Sequence, residues 1–400
     1  MGTDDQIQDT APPPAAQEHT ATESVAGSTA GAKASDVAPS ASSQADVSGP
    51  GAGASSSTQK LWELASSEQQ PEEQAVVEAI RAEGCDVTWQ NQETGESVMC
   101  RAAAQGHLDM VLKLLEAGAP WNAVDKRNRC AGQYALEKGH QTVVDALVNA
   151  GVRAEMILGQ MMNTKVENRS AANADYLKSD VEYTDDNQKL MDPNGDAVMM
   201  EWERPLMQIH AQVLCHGGLQ GTADPKDRHI MNVGFGMGII DGYIQEMGAG
   251  KHTIIEAHPQ VYKRMIAQGW DKKPGVTILF GRWQDVIDQV EDASLDGVFF
   301  DTFGEYYAEM QAFHEHLPRI VRKGGIYSFF NGLCPRNIFF HGVACQVAQL
   351  ELSRLGFDCE FHGCEIQSDA NADGTWEGVR ERYWWNDTYY LPVAPKRDQA

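Results

Sequence analysis

Four hundred residues suffice for two domains and a tail, and an apolar fraction of 42% provides at least one sizeable core. A formal net charge of −25 argues against direct binding of nucleic acid or anionic membranes, which needs clustered Lys and Arg, and favours cationic partners. No apolar run is long enough to cross a bilayer, and Met1–Thr10 has no apolar leader core, so a location in the cytoplasm and nucleus is expected.

Residues 1–58 are rich in Ala, Ser, Thr, Gly and Pro and nearly lack large apolar side chains. Such a segment cannot offset its ordering entropy by burial, so a disordered tail is expected. Residues 59–153 carry a repeat. Ala102-Ala103-Ala104-Gln105-Gly106-His107 is followed by Val111, Leu114, Leu115 and Gly118-Ala119, and the Gly-His pair recurs at Gly139-His140, 33 residues on. A degraded earlier unit is visible in Val76–Ile80, closing at Gly84. Period and pattern resemble ankyrin repeats, pairs of short helices with apolar residues at i, i+3 and i+4. Two or three units bury little core alone, so they should lean on a neighbouring domain. An ordinary helical hairpin is the competing reading.

Residues 154–196 turn polar and Asn/Asp-rich after an initial helix and read as a connecting segment, in which Glu182-Tyr183-Thr184 could pack on the next domain. Residues 197–400 alternate apolar strands with amphipathic helices: strands at His229–Val233, Thr253–Ile255, Thr277–Phe280, Gly297–Phe300 and Gly325–Phe330, with helices between. This order implies an α/β, doubly wound, mostly parallel sheet. Phe357–Phe361 and Tyr383–Tyr390 read as two further strands closing one edge. The eight cysteines include no C-x-x-C pair. Cys359, His362 and Cys364 cluster but lack a fourth ligand at zinc spacing, so free thiols and no metal are expected.

Gly234-Phe235-Gly236-Met237-Gly238 sits between the first of these strands and its helix, which opens toward Ile239. Glycines let the backbone approach a ligand, and the helix start offers free N–H groups. Alone, this turn fits a nicotinamide, a flavin or S-adenosylmethionine. Glu256 ends the next strand, placed for two ribose hydroxyls. Arg282-Trp283-Gln284-Asp285 follows the third, where a ring and a carboxylate could hold an adenine. Arg322-Lys323-Gly324-Gly325 precedes the fifth, and no second nucleotide-binding half exists. The combination favours a class I S-adenosylmethionine-dependent methyltransferase over a dehydrogenase.

Val198-Met199-Met200-Glu201-Trp202-Glu203-Arg204-Pro205-Leu206-Met207, Val233–Met237, Ile255-Glu256 and Asp301-Thr302-Phe303 together resemble guanidinoacetate N-methyltransferase. With ankyrin-like repeats in front, the chain from about residue 60 onward resembles the fungal protein arginine N5-methyltransferases, also called type IV. The resemblance implies that Glu203 and Asp301 hold a guanidinium. It implies that Met207 lines the cofactor site and that Glu256 contacts the ribose, with Ala257-His258 altering the adenine side. Phe303 stands where the family has tyrosine, so any role of that hydroxyl is absent. Tyr183 and the residues from Gly234 to Ile239 complete the expected cofactor contacts, with Asp301 beside them.

Guanidinium has no free lone pair at neutral pH, so a carboxylate pair that localises its charge and takes a proton makes chemical sense. The resemblance implies methylation of arginine's internal δ-nitrogen, because guanidinoacetate is methylated on the nitrogen bonded to its CH2. The two glutamates on a hairpin and the T-H-W loop of terminal-nitrogen arginine methyltransferases are not found. A basic protein with an exposed arginine, such as a ribosomal protein, is the expected partner of a monomeric enzyme. The alternatives are a small-molecule guanidino methyltransferase and a non-catalytic ankyrin adaptor.

Overall fold

The computed structural model describes residues 53–163, 175–184, 186–366, 370–372 and 374–398. The expected tail therefore lies outside the described residues up to 52, as does the connecting segment from 164 to 174. The end of the expected tail is helical: α1 (Ser56–Ser66) starts there, capped by the Ser55 hydroxyl, which accepts from the Thr58 N–H at 3.1 Å.

Three helix pairs follow one another: α1 with α2 (Glu73–Arg81), α3 (Val98–Ala104) with α4 (Leu108–Glu116), and α5 (Ala131–Glu137) with α6 (Gln141–Asn163). The Gly-His pair is what interlocks them. Gly106 and Gly139 turn the chain at positive φ between the helices of a pair. Each histidine then reaches back to the preceding repeat. His107 Nε2 lies 2.8 Å from the Ser67 carbonyl oxygen, and His140 Nε2 lies 3.2 Å from that of Ala104. A Cβ on Gly106 would fall 2.6 Å from His140 Nδ1, so the glycine also makes room for the ring.

A small antiparallel sheet comes next: β1 (Glu182–Tyr183), β2 (Lys189–Met191) and β3 (Ala197–Met200), in order β1-β2-β3. Its first two strands lie in the expected connecting segment 154–196 and its third opens the expected catalytic domain, and none of the three was expected as a strand. After α7 (Arg204–His216) the chain alternates strand and helix: β4 (His229–Val233), α8 (Ile239–Met247), β5 (Lys251–Glu256), α9 (Pro259–Ala267), β6 (Val276–Phe280), α10 (Trp283–Val286) and β7 (Leu295–Phe300). Then come α11 (Tyr307–His314), α12 (Leu317–Ile320), β8 (Val321–Phe329), α13 (Ile338–Arg354), β9 (Glu360–Glu365) and β10 (Thr388–Pro395). The seven strands lie in the order β6-β5-β4-β7-β8-β10-β9. The pairs from β6 to β8 are parallel, and β10 runs antiparallel to both β8 and β9. The expected doubly wound sheet is present. Strand β10 starts at Thr388, not Tyr383, because the aromatic run Tyr383-Trp384-Trp385 belongs to the loop before it, and β9 spans Glu360–Glu365 rather than the expected Phe357–Phe361. Among the described residues no helix is long and apolar enough to cross a membrane, and no cluster of His, Cys, Asp or Glu is arranged to hold a metal.

One helix serves two cores. Phe339, Val343 and Val347 of α13, at i, i+4 and i+8, are buried with the ankyrin residues Met99, Ala135 and Leu147. Ala348 and Leu352, on the other face, are buried with the sheet residues Val298 and Tyr327. Gly132 in α5 admits the Phe339 ring, since a Cβ there would lie 2.1 Å from it. Asn337 caps α13 through Oδ1 and donates from Nδ2 to Gln133 Oε1 at 2.8 Å. Phe339→Ala should therefore destabilise by about 3–5 kcal/mol through the cavity it leaves. Gly132→Ala should cost roughly 1–3 kcal/mol through overpacking. Denaturant titration checks both, and two variants with wild-type midpoints would disprove this junction.

Candidate active site

The carboxyl ends of β4, β5, β7 and β8 open into a cavity of about 980 Å3. Its wall includes Gly234, Gly236, Glu256, Ala257, Arg282, Trp283, Gln284, Asp301 and Glu203, all candidates from the sequence. Gly234 and Gly236 hold positive φ (99° and 54°), and a Cβ on Gly234 would lie 1.8 Å from the Asp301 carbonyl oxygen. The glycine turn and the end of β7 are thus in backbone contact, which brings Asp301 beside the loop.

Glu256, 6% exposed, ties this turn to its own: Oε2 accepts from the Phe235 N–H at 2.9 Å and Oε1 from the His258 N–H at 2.5 Å. Burial still pushes its carboxyl above the usual range, the backbone donors opposing that shift. Each of its oxygens keeps a lone pair for a further donor. Trp283 donates from Nε1 to Glu305 at 3.0 Å, and Gln284 donates to the same carboxylate at 2.8 Å. Thr302 Oγ1 joins them at 2.8 Å. Glu305 is therefore the carboxylate that orders this end of the cavity. Asp285, to which the sequence reading gave that part, is exposed and lies outside the wall.

The remaining candidates stand behind the wall. Met207 is fully buried in the core. Phe235, 1% exposed, packs edge-on against Trp270, and Ile239 is buried in the first turn of α8. Gly238 caps that helix at φ 74°. The Met237 N–H donates to Met199 Sδ at 3.3 Å. Tyr183 donates from its hydroxyl to the Gly236 carbonyl at 2.9 Å, so the small sheet clamps the glycine turn through Tyr183 and Met199. His258 caps α9 and lies 4.9 Å, ring to ring, from Tyr176, which also meets Phe303.

Glu203 ends a 3-10 turn, Glu201–Glu203, between β3 and α7, and is 3% exposed. Its Oε1 accepts from the Met200 N–H at 3.1 Å and from the Tyr383 hydroxyl. That hydroxyl is itself held by the Trp202 Nε1–H at 3.1 Å. Among the described residues none donates to Glu203 Oε2 or to either carboxylate oxygen of Asp301. Asp301 is half-buried and lines the cavity. Burial, reinforced by Asp301, pushes Glu203 up to about 8. Burial, reinforced by Asp241, pushes Asp301 up to about 7. Two enclosed carboxylates with three unoccupied oxygens and no cation are arranged to receive a cation with several N–H donors. Sequence reasoning missed Tyr383, whose only signal was an aromatic run in a polar loop, and Glu305, which carried none.

A parallel sheet with a glycine turn after β4, a carboxylate ending β5 and an acidic residue ending β7 defines a class I methyltransferase. The comparisons agree. The guanidinoacetate N-methyltransferase family profile matches residues 164–338, and that of ankyrin repeats, in three copies, matches 63–156. "Protein arginine N-methyltransferase 2" of Cryptococcus neoformans is 34% identical over 342 residues, covering 80% of this chain and 91% of the relative. The proteins of that name from Yarrowia lipolytica (36%, covering 66% of this chain and 57% of the relative) and Aspergillus oryzae (33%, 71% and 77%) are also similar. The chain belongs to this family of S-adenosylmethionine-dependent arginine methyltransferases.

The raised carboxyl of Glu203 has a consequence for stability. A folded-state pKa above the unfolded value means that the fold favours the neutral acid. The group's stabilising contribution is full below about 4.5 and is lost as pH rises through about 8. Glu203→Gln keeps an oxygen for Met200 and Tyr383 but cannot ionise. Its melting temperature should exceed that of the wild type at pH 8.5 by on the order of 5 °C, with the gap closing near pH 4.5. A pH-independent gap would refute the shift.

Proposed function

We propose that this chain monomethylates the internal δ-nitrogen of an arginine in a basic protein, such as a ribosomal protein. The observation that carries the reading is the Glu203–Asp301 pair, two carboxylates lining one cavity, with three of their oxygens lacking a donor and neither group ion-paired among the described residues. A guanidinium supplies five N–H donors in a rigid plane, fits carboxylates in a fork and stays charged at every physiological pH. The net charge of −25 draws such a partner, and the ankyrin repeats give a protein substrate something to bind. A monomer working in the cytoplasm and nucleus completes the proposal.

The residues along the glycine turn fit S-adenosylmethionine. Gly234 and Gly236 leave the backbone bare, Glu256 offers acceptors for ribose hydroxyls, and Trp283 with Gln284 walls the adenine end. When bound, the cofactor supplies a methyl group on a positively charged sulfur. Glu203 Oε2 and the Asp301 carboxylate bind the terminal nitrogens and present the internal nitrogen to that methyl. As the N–CH3 bond forms and the S–CH3 bond breaks, one N–H proton leaves the guanidine unit for Asp301. The product keeps a single positive charge. A base whose carboxyl lies near 7 suits that transfer, because it is ionised in part and accepts a proton readily. Tyr383 fixes Oε1 of Glu203 so that Oε2 alone is free.

Both carboxylates must ionise to bind the cation, so kcat/KM should rise with pH through about 7 to 8. The Tyr383 hydroxyl lowers the Glu203 carboxyl, so Tyr383→Phe should move that limb to higher pH. Asp301→Asn should lower kcat by roughly 10²–10⁴ while cofactor affinity holds. Fragmentation mass spectrometry of arginine labelled from S-adenosylmethionine locates the methyl. A methyl on a terminal nitrogen, or an Asp301→Asn enzyme at wild-type rate, would overturn the reading.

Cofactor placement has its own test. Glu256→Ala removes two charge-assisted acceptors, each worth about 1.5–3 kcal/mol. Calorimetry with S-adenosylhomocysteine should show affinity falling at least tenfold. Unchanged affinity would remove Glu256 from the ribose.

A further inference from the structure

The cavity has a direction. Along the sheet its wall passes from Glu256 at the end of β5, to Gly234 after β4, to Asp301 after β7, and then to residues of the segment that follows β8, between Phe330 and Arg336. The cofactor residues lie on the β5 and β4 side of the carboxylates. A substrate chain must therefore enter from the β8 side. The ankyrin repeats border that end, because Trp121, Asn122 and Glu155 line the same cavity.

Trp121 is held there by a built contact. Its ring lies on Gly151 in the middle of α6, where a Cβ would be 2.8 Å from the ring, and it meets Phe340 of α13 edge-on at 5.8 Å. Glu155 is four residues beyond Gly151 and so stands one helical turn further along the same face. Glu155 is exposed, and among the described residues it has neither an ion pair nor a hydrogen bond. Its charge is felt by the Cys334 thiol across the cavity. The one cation of that opposite segment, Arg336, is already paired with Glu381. An unpaired carboxylate next to an aromatic ring, at the open end of an acidic cavity, suits an ammonium or guanidinium on a flexible stem.

We infer that Trp121 and Glu155 form a second cation subsite, which takes a lysine or arginine neighbouring the methylated arginine in the substrate chain. The inference rests on the arginine-methylation reading above and adds to it what the enzyme selects. The repeats then contribute to specificity inside the catalytic cavity, one side chain away from the reacting group. Asp301 and Glu203 choose the guanidinium, and Glu155 chooses its context.

The experiment uses the full chain and synthetic peptides with one arginine, in which lysine, alanine or glutamate occupies each of the three positions on either side. Label transfer from S-adenosylmethionine gives kcat/KM for the wild type, Glu155→Gln and Glu155→Lys. Glu155 is exposed and, among the described residues, has no hydrogen bond or ion pair for these changes to remove. The wild type should prefer lysine to alanine at one or two positions by roughly five- to tenfold. Glu155→Gln should reduce that ratio to below about twofold, and Glu155→Lys should reverse it in favour of glutamate at the same positions. A wild type indifferent to lysine everywhere, or the same preference in all three enzymes, would overturn the subsite while leaving arginine methylation standing. Wild-type enzyme that labels neither any peptide nor any basic protein would instead overturn the methylation reading, and the subsite with it.

Discussion

Two carboxylates share one cavity and, among the described residues, neither is ion-paired; the rest of the catalytic domain is organised around that expensive arrangement. Enclosing an ionised group costs several kcal/mol unless a partner is supplied. Here, among the described residues, hydrogen bonds reach one of the four carboxylate oxygens, Oε1 of Glu203. Burial and neighbouring carboxylates push both acids toward their neutral forms, and a bound guanidinium would bring them back. The surrounding devices hold the pair still. Tyr383 and the Met200 N–H fix Glu203. Gly234 lets the glycine turn touch the backbone at Asp301, where any side chain would collide with the carbonyl. Tyr183 and Met199 then fix the glycine turn from the small sheet.

The ankyrin repeats depend on the catalytic domain as much as they add to it. Three short helix pairs close little apolar surface, and stacking alone leaves the terminal pair uncovered. Helix α13 covers it with Phe339, Val343 and Val347 while turning Ala348 and Leu352 to the sheet. A helix apolar on two faces has little amphipathic signature, which is what two cores require of it. The same junction sets Trp121 and Glu155 at the substrate end of the cavity. Packing and recognition therefore use one contact.

The parallel strands were legible in the sequence because strands buried on both faces read as apolar runs bounded by turn residues, as in His229–Val233 and in Gly297–Phe300, which the structure extends back to Leu295. The repeats were legible through the spacing of Gly106-His107 and Gly139-His140, whose structural work is the back-bond to the previous repeat. The small sheet was not, since strands of two to four residues in a polar segment carry no period. Tyr383 was placed in a strand because its aromatic neighbours imitate one. Glu203 and Asp301 stand at one cavity although 98 residues separate them, and family resemblance alone, not spacing, singled out Glu203. Glu305 needed the fold, because only the loop after β7 brings its carboxylate to Trp283 and Gln284.

The central claim is that the pair awaits a guanidinium, and proton release on binding tests it most directly. An arginine peptide is titrated into enzyme loaded with S-adenosylhomocysteine at pH 7, by calorimetry in two buffers of different ionisation enthalpy. If Glu203 and Asp301 are held partly neutral until the cation arrives, binding should release roughly one proton per site at pH 7 and none near pH 9.5. Binding that releases no proton at either pH would contradict the account.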